Sequence, residues 1–133
     1  MNYRQVEENV RKIIEKQYQT HFERKKLVIG KKSDGSECKQ EFDLVSRNPT
    51  IIGEIKCCKF SNRSTGKSGY KSKRKPVLLE AVFYLQCVKA RKKLLVLTNL
   101  ALHKEFNREF GAILKGLKID LLRVDVKSRQ TFQ

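Results

Sequence analysis

Apolar residues recur along the chain with two different periods, and the changes of period divide it into helices and strands. From about Tyr3 to Tyr18, the residues Tyr3, Val6, Val10, Ile13, Ile14 and Gln17 fall at helical spacing, with Arg4, Arg11, Lys12 and Lys16 mostly elsewhere. This predicts an amphipathic helix. Two short runs rich in apolar and β-branched residues follow, Glu41-Phe42-Asp43-Leu44-Val45 and Ile51-Ile52-Gly53-Glu54-Ile55-Lys56, separated by the turn composition Ser46-Arg47-Asn48-Pro49. They predict two strands of a hairpin. Pro76 can open a second helix as its first residue. Leu78, Leu79, Ala81, Val82, Phe83, Leu85 and Val88 then cover well over half its circumference, which predicts packing on more than one side. Lys93 to Thr98, with Leu94-Leu95-Val96-Leu97 uninterrupted, reads as a strand buried on both faces. The helix between it and the Glu54 strand predicts a right-handed crossover to a parallel neighbour. Leu100, His103, Phe106, Phe110, Ile113, Leu114 and Leu117 define a third helix, and Ile119 to Val124 a last strand.

The predicted order is helix, three strands, helix, strand, helix, strand, an α/β arrangement with a mixed central sheet flanked by helices. There is no internal repeat, and 133 residues suit one domain spanning 1–133, with a real core but little room for a separate target-reading module.

Side chains alternate across a strand, so Glu54 and Lys56 share a face with Ile52 and Cys58, while Ile51, Ile55 and Cys57 share the other. Asp43 on the neighbouring strand can meet the first set. Two carboxylates converging on a largely apolar sheet repel and resist desolvation unless a cation or proton bridges them. A hard divalent ion with oxygen ligands, Mg²⁺ above all with Mn²⁺ as a substitute, resolves that conflict. An ion on Asp43 and Glu54 would polarise a phosphoryl oxygen and acidify a bound water, with Lys56 orienting that water or stabilising developing charge. Together these roles describe phosphodiester hydrolysis.

In these residues the chain resembles the PD-(D/E)xK nuclease superfamily, whose pattern is an acidic residue on one strand followed, on the next, by an acidic-x-Lys triplet. Asp43, Glu54 and Lys56 match it, with Phe42 in place of the proline; Glu41-Phe42-Asp43 matches the Glu-apolar-Asp variant that many relatives carry. The order of elements also resembles that superfamily's core, so the resemblance covers most of the chain and implies a restriction-endonuclease-like fold, order αβββαβαβ.

The resemblance further implies an acidic residue on the first helix. Glu7 falls beside the arc of Val6, Val10 and Ile14, whereas Glu8 falls nearly opposite, so Glu7 is the candidate third member of a catalytic, metal-binding set; a surface pair with Arg11 at i+4 explains it equally well. On the second helix Gln86 projects onto the arc of Leu79, Val82 and Phe83, where its amide would be buried and need a partner. Some branches, resembling the exonuclease domain of recombination helicases, place a catalytic Gln there with a Tyr four residues on. That position is Ala90, and Gln86 stands equally as a helix-interface hydrogen bonder.

Charge adds a partner to this picture. Thirty Lys and Arg against fourteen Asp and Glu give +16, a self-repulsion that a polyanion would relieve, and nucleic acid is the simplest polyanion. Between Lys59 and Lys75 the chain carries seven basic residues and no acidic one, amid Ser61, Asn62, Ser64, Gly66, Ser68 and Gly69. This predicts a flexible basic loop over about 59–75 in which Lys59, Arg63, Lys67, Lys71, Lys73, Arg74 and Lys75 clamp phosphates beside the site without reading sequence. Gly66-Lys67-Ser68 imitates the end of a P-loop, but the glycine required five residues earlier is Ser61 and no amphipathic helix follows directly, which argues against nucleotide hydrolysis.

Cys38, Cys57, Cys58 and Cys87 lack Cys-x-x-Cys spacing, and two histidines give no convincing zinc set. They predict buried thiols, and with no long apolar run the chain reads as soluble and cytoplasmic. The expectation is a metal-dependent deoxyribonuclease, structure-selective or partner-guided. In length and motif order it is similar to archaeal Holliday-junction resolvases, an analogy that implies a homodimer. A non-catalytic basic nucleic-acid-binding module explains the charge as well but not two acids beside a lysine. An RNA-processing protein fits the charge too, yet predicts an aromatic platform of which only Tyr70 lies in the basic loop.

Overall fold

The computed structural model describes residues 2–48, 50–57 and 69–133. Its elements are α1 (Tyr3–Tyr18), β1 (Phe22–Lys31), β2 (Glu37–Ser46), β3 (Ile51–Lys56), a π-helical turn (Tyr70–Arg74) running into α2 (Lys75–Gln86), β4 (Lys92–Leu97), α3 (Leu100–Gly116), β5 (Ile119–Asp125) and β6 (Gln130–Phe132). The six strands form one mixed sheet in the order β1-β2-β3-β4-β5-β6.

Local chemistry explains the boundaries. Asn2 caps α1 by accepting a hydrogen bond from Gln5 N at 2.9 Å, and the helix ends where Gln19 turns left-handed at φ 53°. Asn99 caps α3 in the same way, through Leu102 N at 2.9 Å. The expected β2–β3 hairpin is present and is tied by buried Ser46, whose Oγ accepts from Thr50 N at 3.2 Å and Ile51 N at 3.1 Å and donates to the Asn48 carbonyl at 2.6 Å. β3 and β4 pair in parallel, as do β4 and β5, each pair joined through a helix.

The sheet is covered on both faces. Val10, Ile13 and Ile14 of α1 pack with Phe22, Leu44, Ile55, Leu94 and Leu122 on one side. On the other, α2 and α3 pack Leu78, Leu85, Leu102 and Phe106 against Phe42, Ile52, Leu95 and Leu97. Leu94 to Leu97 are accordingly buried throughout, as a strand sandwiched between helices requires.

Four expectations are corrected. α2 buries one stripe, Leu78, Ala81, Val82 and Leu85, and leaves Leu79 and Phe83 exposed, because only the sheet side of this helix meets other elements. The residues from Tyr70 onward, expected within a flexible loop, are helical and anchored by Tyr70, whose ring is buried. A sixth strand, β6, pairs antiparallel with β5 beyond the last strand expected. The thiols of Cys38, Cys57 and Cys87 are half-buried rather than buried, and Cys58 lies outside the described residues. Among the described residues no helix is long and apolar enough to cross a membrane.

Candidate functional site

The site forms where the β2 ladder breaks on both of its edges. On the β1 side, Glu23 pairs with Val45 but Lys25 pairs with Phe42, so Asp43 and Leu44 together stand opposite Arg24. This is a β-bulge, and it re-aims side chains as bulges do. Phe42 points into the α2–α3 core, Leu44 into the α1 core, and Asp43 is left between them at the sheet's opening edge. On the β3 side, backbone pairing stops at Leu44 and Gly53.

Beyond that point the two acidic side chains take over the role of the ladder. Asp43 N donates to Glu54 Oε1 at 3.2 Å, and Ile55 N donates to Asp43 Oδ2 at 2.9 Å. Lys56 Nζ lies 3.6 Å from Glu54 Oε2. Gly53 permits this close approach, since a Cβ there would lie 3.0 Å from Leu44 Cδ1 and 3.0 Å from both Cβ and O of Leu94.

Burial sets the electrostatics. Glu54 is only 4% exposed, and desolvation, then the neighbouring Asp43 charge, push its carboxyl up to about 7 against the pull of Lys56. Burial likewise pushes Asp43 up to about 6, helped by Glu7 and opposed by the Ile55 N–H and Lys56. Glu7 behaves oppositely: burial raises it, but hydrogen bonds with Arg24 and Asp43 and the charges of Arg24 and Arg11 outweigh that and hold it below the usual carboxylate range. Arg24 reaches Glu7 in an ion pair and lies 3.5 Å from Glu41 and 3.7 Å from Asp43 Oδ1. Arg11 approaches Glu7 at 3.5 Å and the Asp43 carbonyl at 3.4 Å.

Asp43, Glu54, Lys56 and Glu7 are thus neighbours, while Glu8 is exposed. Gln86 does not join them: it is exposed at the end of α2, because the buried stripe runs through Leu78, Val82 and Leu85 rather than through Leu79 and Phe83. Lys71 and Lys73 are exposed on the π-helical turn, as a phosphate contact requires. Lys75 is instead committed to α3, 2.6 Å from Glu109 and over the Phe110 ring at 5.2 Å, and Arg74 is half-buried. Lys59, Arg63 and Lys67 lie outside the described residues. Sequence reading missed Arg24, which sits in the uniformly charged run Glu23-Arg24-Lys25-Lys26 and is singled out only by the bulge register.

Among the described residues no three Asp, Glu, His or Cys side chains converge as a metal-binding group. Asp43 and Glu54 form the candidate metal-binding pair, with the Glu7 carboxyl hydrogen-bonded to Asp43 and paired with Arg24 and Arg11. The pair suits Mg²⁺, which is commonly bound by one or two carboxylates with water and substrate phosphate completing its shell. Each carboxylate spends one oxygen on a backbone N–H, and the other lies beside a cation, Asp43 Oδ1 3.7 Å from Arg24 Nε and Glu54 Oε2 3.6 Å from Lys56 Nζ.

Comparison with protein-family models, with curated proteins and with solved structures finds no match for this chain.

Proposed function

We propose that the chain is a Mg²⁺-dependent nuclease that hydrolyses DNA phosphodiester bonds, with Asp43, Glu54 and Lys56 as its reacting groups and a restriction-endonuclease-like core of the PD-(D/E)xK type. One observation carries the reading: two carboxylates that bridge β2 and β3 in place of ladder hydrogen bonds, with a lysine ammonium 3.6 Å from the second. Burying two acids in this way raises both of them, a cost that a purely structural strand pair would avoid by continuing its ladder.

Asp43 and Glu54 would hold Mg²⁺, which would supply charge stabilisation at phosphorus and a more acidic water. The backbone N–H groups of Asp43 and Ile55 fix both carboxylates in orientation, so little reorganisation is needed as charge develops. Lys56 positions the attacking water and stabilises the phosphorane-like charge. Glu7 acts through Arg24 and through its hydrogen bond with Asp43. Lys71 and Lys73 hold backbone phosphates without reading bases. By analogy with the resolvases that the motif order resembles, cleavage would be structure-selective, by a homodimer on a branched substrate. The free thiols of Cys38 and Cys87 fit an intracellular, cytoplasmic enzyme.

The rival is a nucleic-acid-binding module without catalysis. It leaves unexplained two buried carboxylates within a basic surface, where negative charge weakens phosphate binding. Incubating the protein with linear, flapped and four-way DNA, with and without Mg²⁺, decides between them. Metal-dependent cleavage of at least one substrate is expected; binding to all with cleavage of none would establish the module.

A further inference from the structure

Sheet register carries the site beyond the acidic pair. Lys56 pairs with Leu97, Leu97 with Arg123, and Arg123 with Phe132, so these four residues form one row across β3, β4, β5 and β6. Paired residues face the same side of a sheet, and neighbouring strands are about 4.8 Å apart, which places the Arg123 backbone roughly 10 Å from that of Lys56. Arg123 does not reach back toward the acids. Its guanidinium lies over the Phe132 ring, 4.2 Å from the centroid, and Phe132 itself is 39% exposed.

This stacked pair forms one wall of a groove of about 340 Å³ whose opposite wall is α3. Among the described residues the lining brings Lys104, Arg108 and Arg123 and no Asp or Glu side chain. Nearby acids are occupied elsewhere: Glu105 takes Arg108, and Asp125 accepts the N–H groups of Lys127 at 3.0 Å and Ser128 at 3.4 Å in the β5–β6 turn. His103 lines the same groove and is buried, its ring bonded to the Leu121 backbone, while its Nε2 has no hydrogen-bond partner among the described residues. A groove with two available cations and a partly exposed aromatic ring is chemically matched to a nucleotide, since a phosphate alone needs no aromatic wall.

We propose that this groove is a subsite for one unpaired nucleotide of a DNA strand, its base stacked on the Phe132–Arg123 pair and its phosphate held by Lys104. Nucleotide binding here stands on the groove alone; that the nucleotide belongs to the strand being cut rests on the nuclease reading. Single-stranded specificity follows from the stack, because a paired base has no free face to offer.

The test is fluorescence anisotropy in EDTA with a labelled oligothymidylate and a duplex of equal length. Phe132→Ala is expected to weaken single-strand binding roughly 5- to 150-fold, the range that one base stack carries, and to leave duplex binding within about twofold. Phe132→Tyr should bind like the parent, and Lys104→Gln should lower the single-strand salt slope by about 0.7. Phe132→Leu keeps the apolar cover of β6 without the π-face, so it reports the same loss if the alanine variant unfolds. Parent-like single-strand binding by Phe132→Leu, or equal losses on both DNAs, would overturn the subsite. A protein that cleaves with Mg²⁺ but shows no Phe132 dependence rejects the subsite alone. Phe132-dependent binding with no cleavage of any substrate rejects hydrolysis and upholds the subsite, and a parent chain that binds neither DNA rejects both.

Discussion

Asp43 and Glu54 each stand in for a piece of the ladder that β2 and β3 fail to form: the Asp43 N–H donates to the Glu54 carboxylate at 3.2 Å, and the Asp43 carboxylate accepts from the residue after Glu54, Ile55 N, at 2.9 Å. The reciprocal arrangement fixes one oxygen of each acid on a backbone N–H and leaves the other beside a cation, Arg24 at Asp43 and Lys56 at Glu54. It would also tie the proposed metal site to stability, since the groups that would hold the ion hold the strands.

The first consequence is a pH dependence. Asp43 rises from an ordinary 3.8 to about 6 and Glu54 from 4.5 to about 7, so between those limits the folded metal-free chain holds more protons than the unfolded one. Their contribution to stability is full below the unfolded values and is lost as pH rises through the folded ones. The wild-type melting temperature should therefore fall relative to that of Asp43→Asn/Glu54→Gln between about pH 5 and pH 8 in EDTA, and Mg²⁺ should stabilise the wild type more at the higher pH. Parallel melting curves for the two proteins across this range would remove the raised carboxyls.

Gly53 sets how tightly the strands meet where the ladder ends. Gly53→Ala puts a methyl group 3.0 Å from Leu44 Cδ1 and from the Cβ and O of Leu94, inside a core with no slack. A loss of about 1–3 kcal/mol in urea unfolding is expected. Unchanged stability would mean that the close approach is not needed.

The basic residues after Gly69 divide by partner. Neutralising exposed Lys71 and Lys73 should weaken binding to all duplex sequences alike and reduce the salt slope by about 0.9 for each phosphate no longer neutralised. Lys75→Ala should instead lower the melting temperature, because Glu109 loses its ion pair and the Phe110 ring its cation, and leave the slope nearly unchanged. A slope indifferent to Lys71 and Lys73 would place the phosphate path elsewhere.

Asp43→Asn and Glu54→Gln keep the acceptors for Ile55 N and Asp43 N while removing charge. Each should abolish Mg²⁺-dependent cleavage and leave DNA affinity intact or raised. Cleavage at the wild-type rate by either folded variant removes that residue from the site.

Much of this was legible in the sequence where a pattern repeats. The faces of Ile52, Glu54 and Lys56 against Ile51, Ile55 and Cys57 follow from alternation alone, and the sandwiched Leu94 to Leu97 follow from continuous apolarity. The bulge opposite Arg24 left no such trace, because one extra residue in a charged run changes register without changing composition. Gln86 failed for a related reason: with apolar residues on most of α2, periodicity could not say which stripe faces the sheet. β6 is only Gln130–Phe132, too short to show alternation, and with it the Phe132–Arg123 stack stayed hidden.

The central claim is that Lys56 acts in the transition state beside Asp43 and Glu54, and single-turnover cleavage by Lys56→Ala at saturating enzyme tests it most directly. The expected result is a maximal rate reduced by a factor of roughly a hundred or more, with substrate affinity changed little. Recovery of the full wild-type rate at saturation would contradict it, leaving Lys56 as one phosphate-binding cation among many.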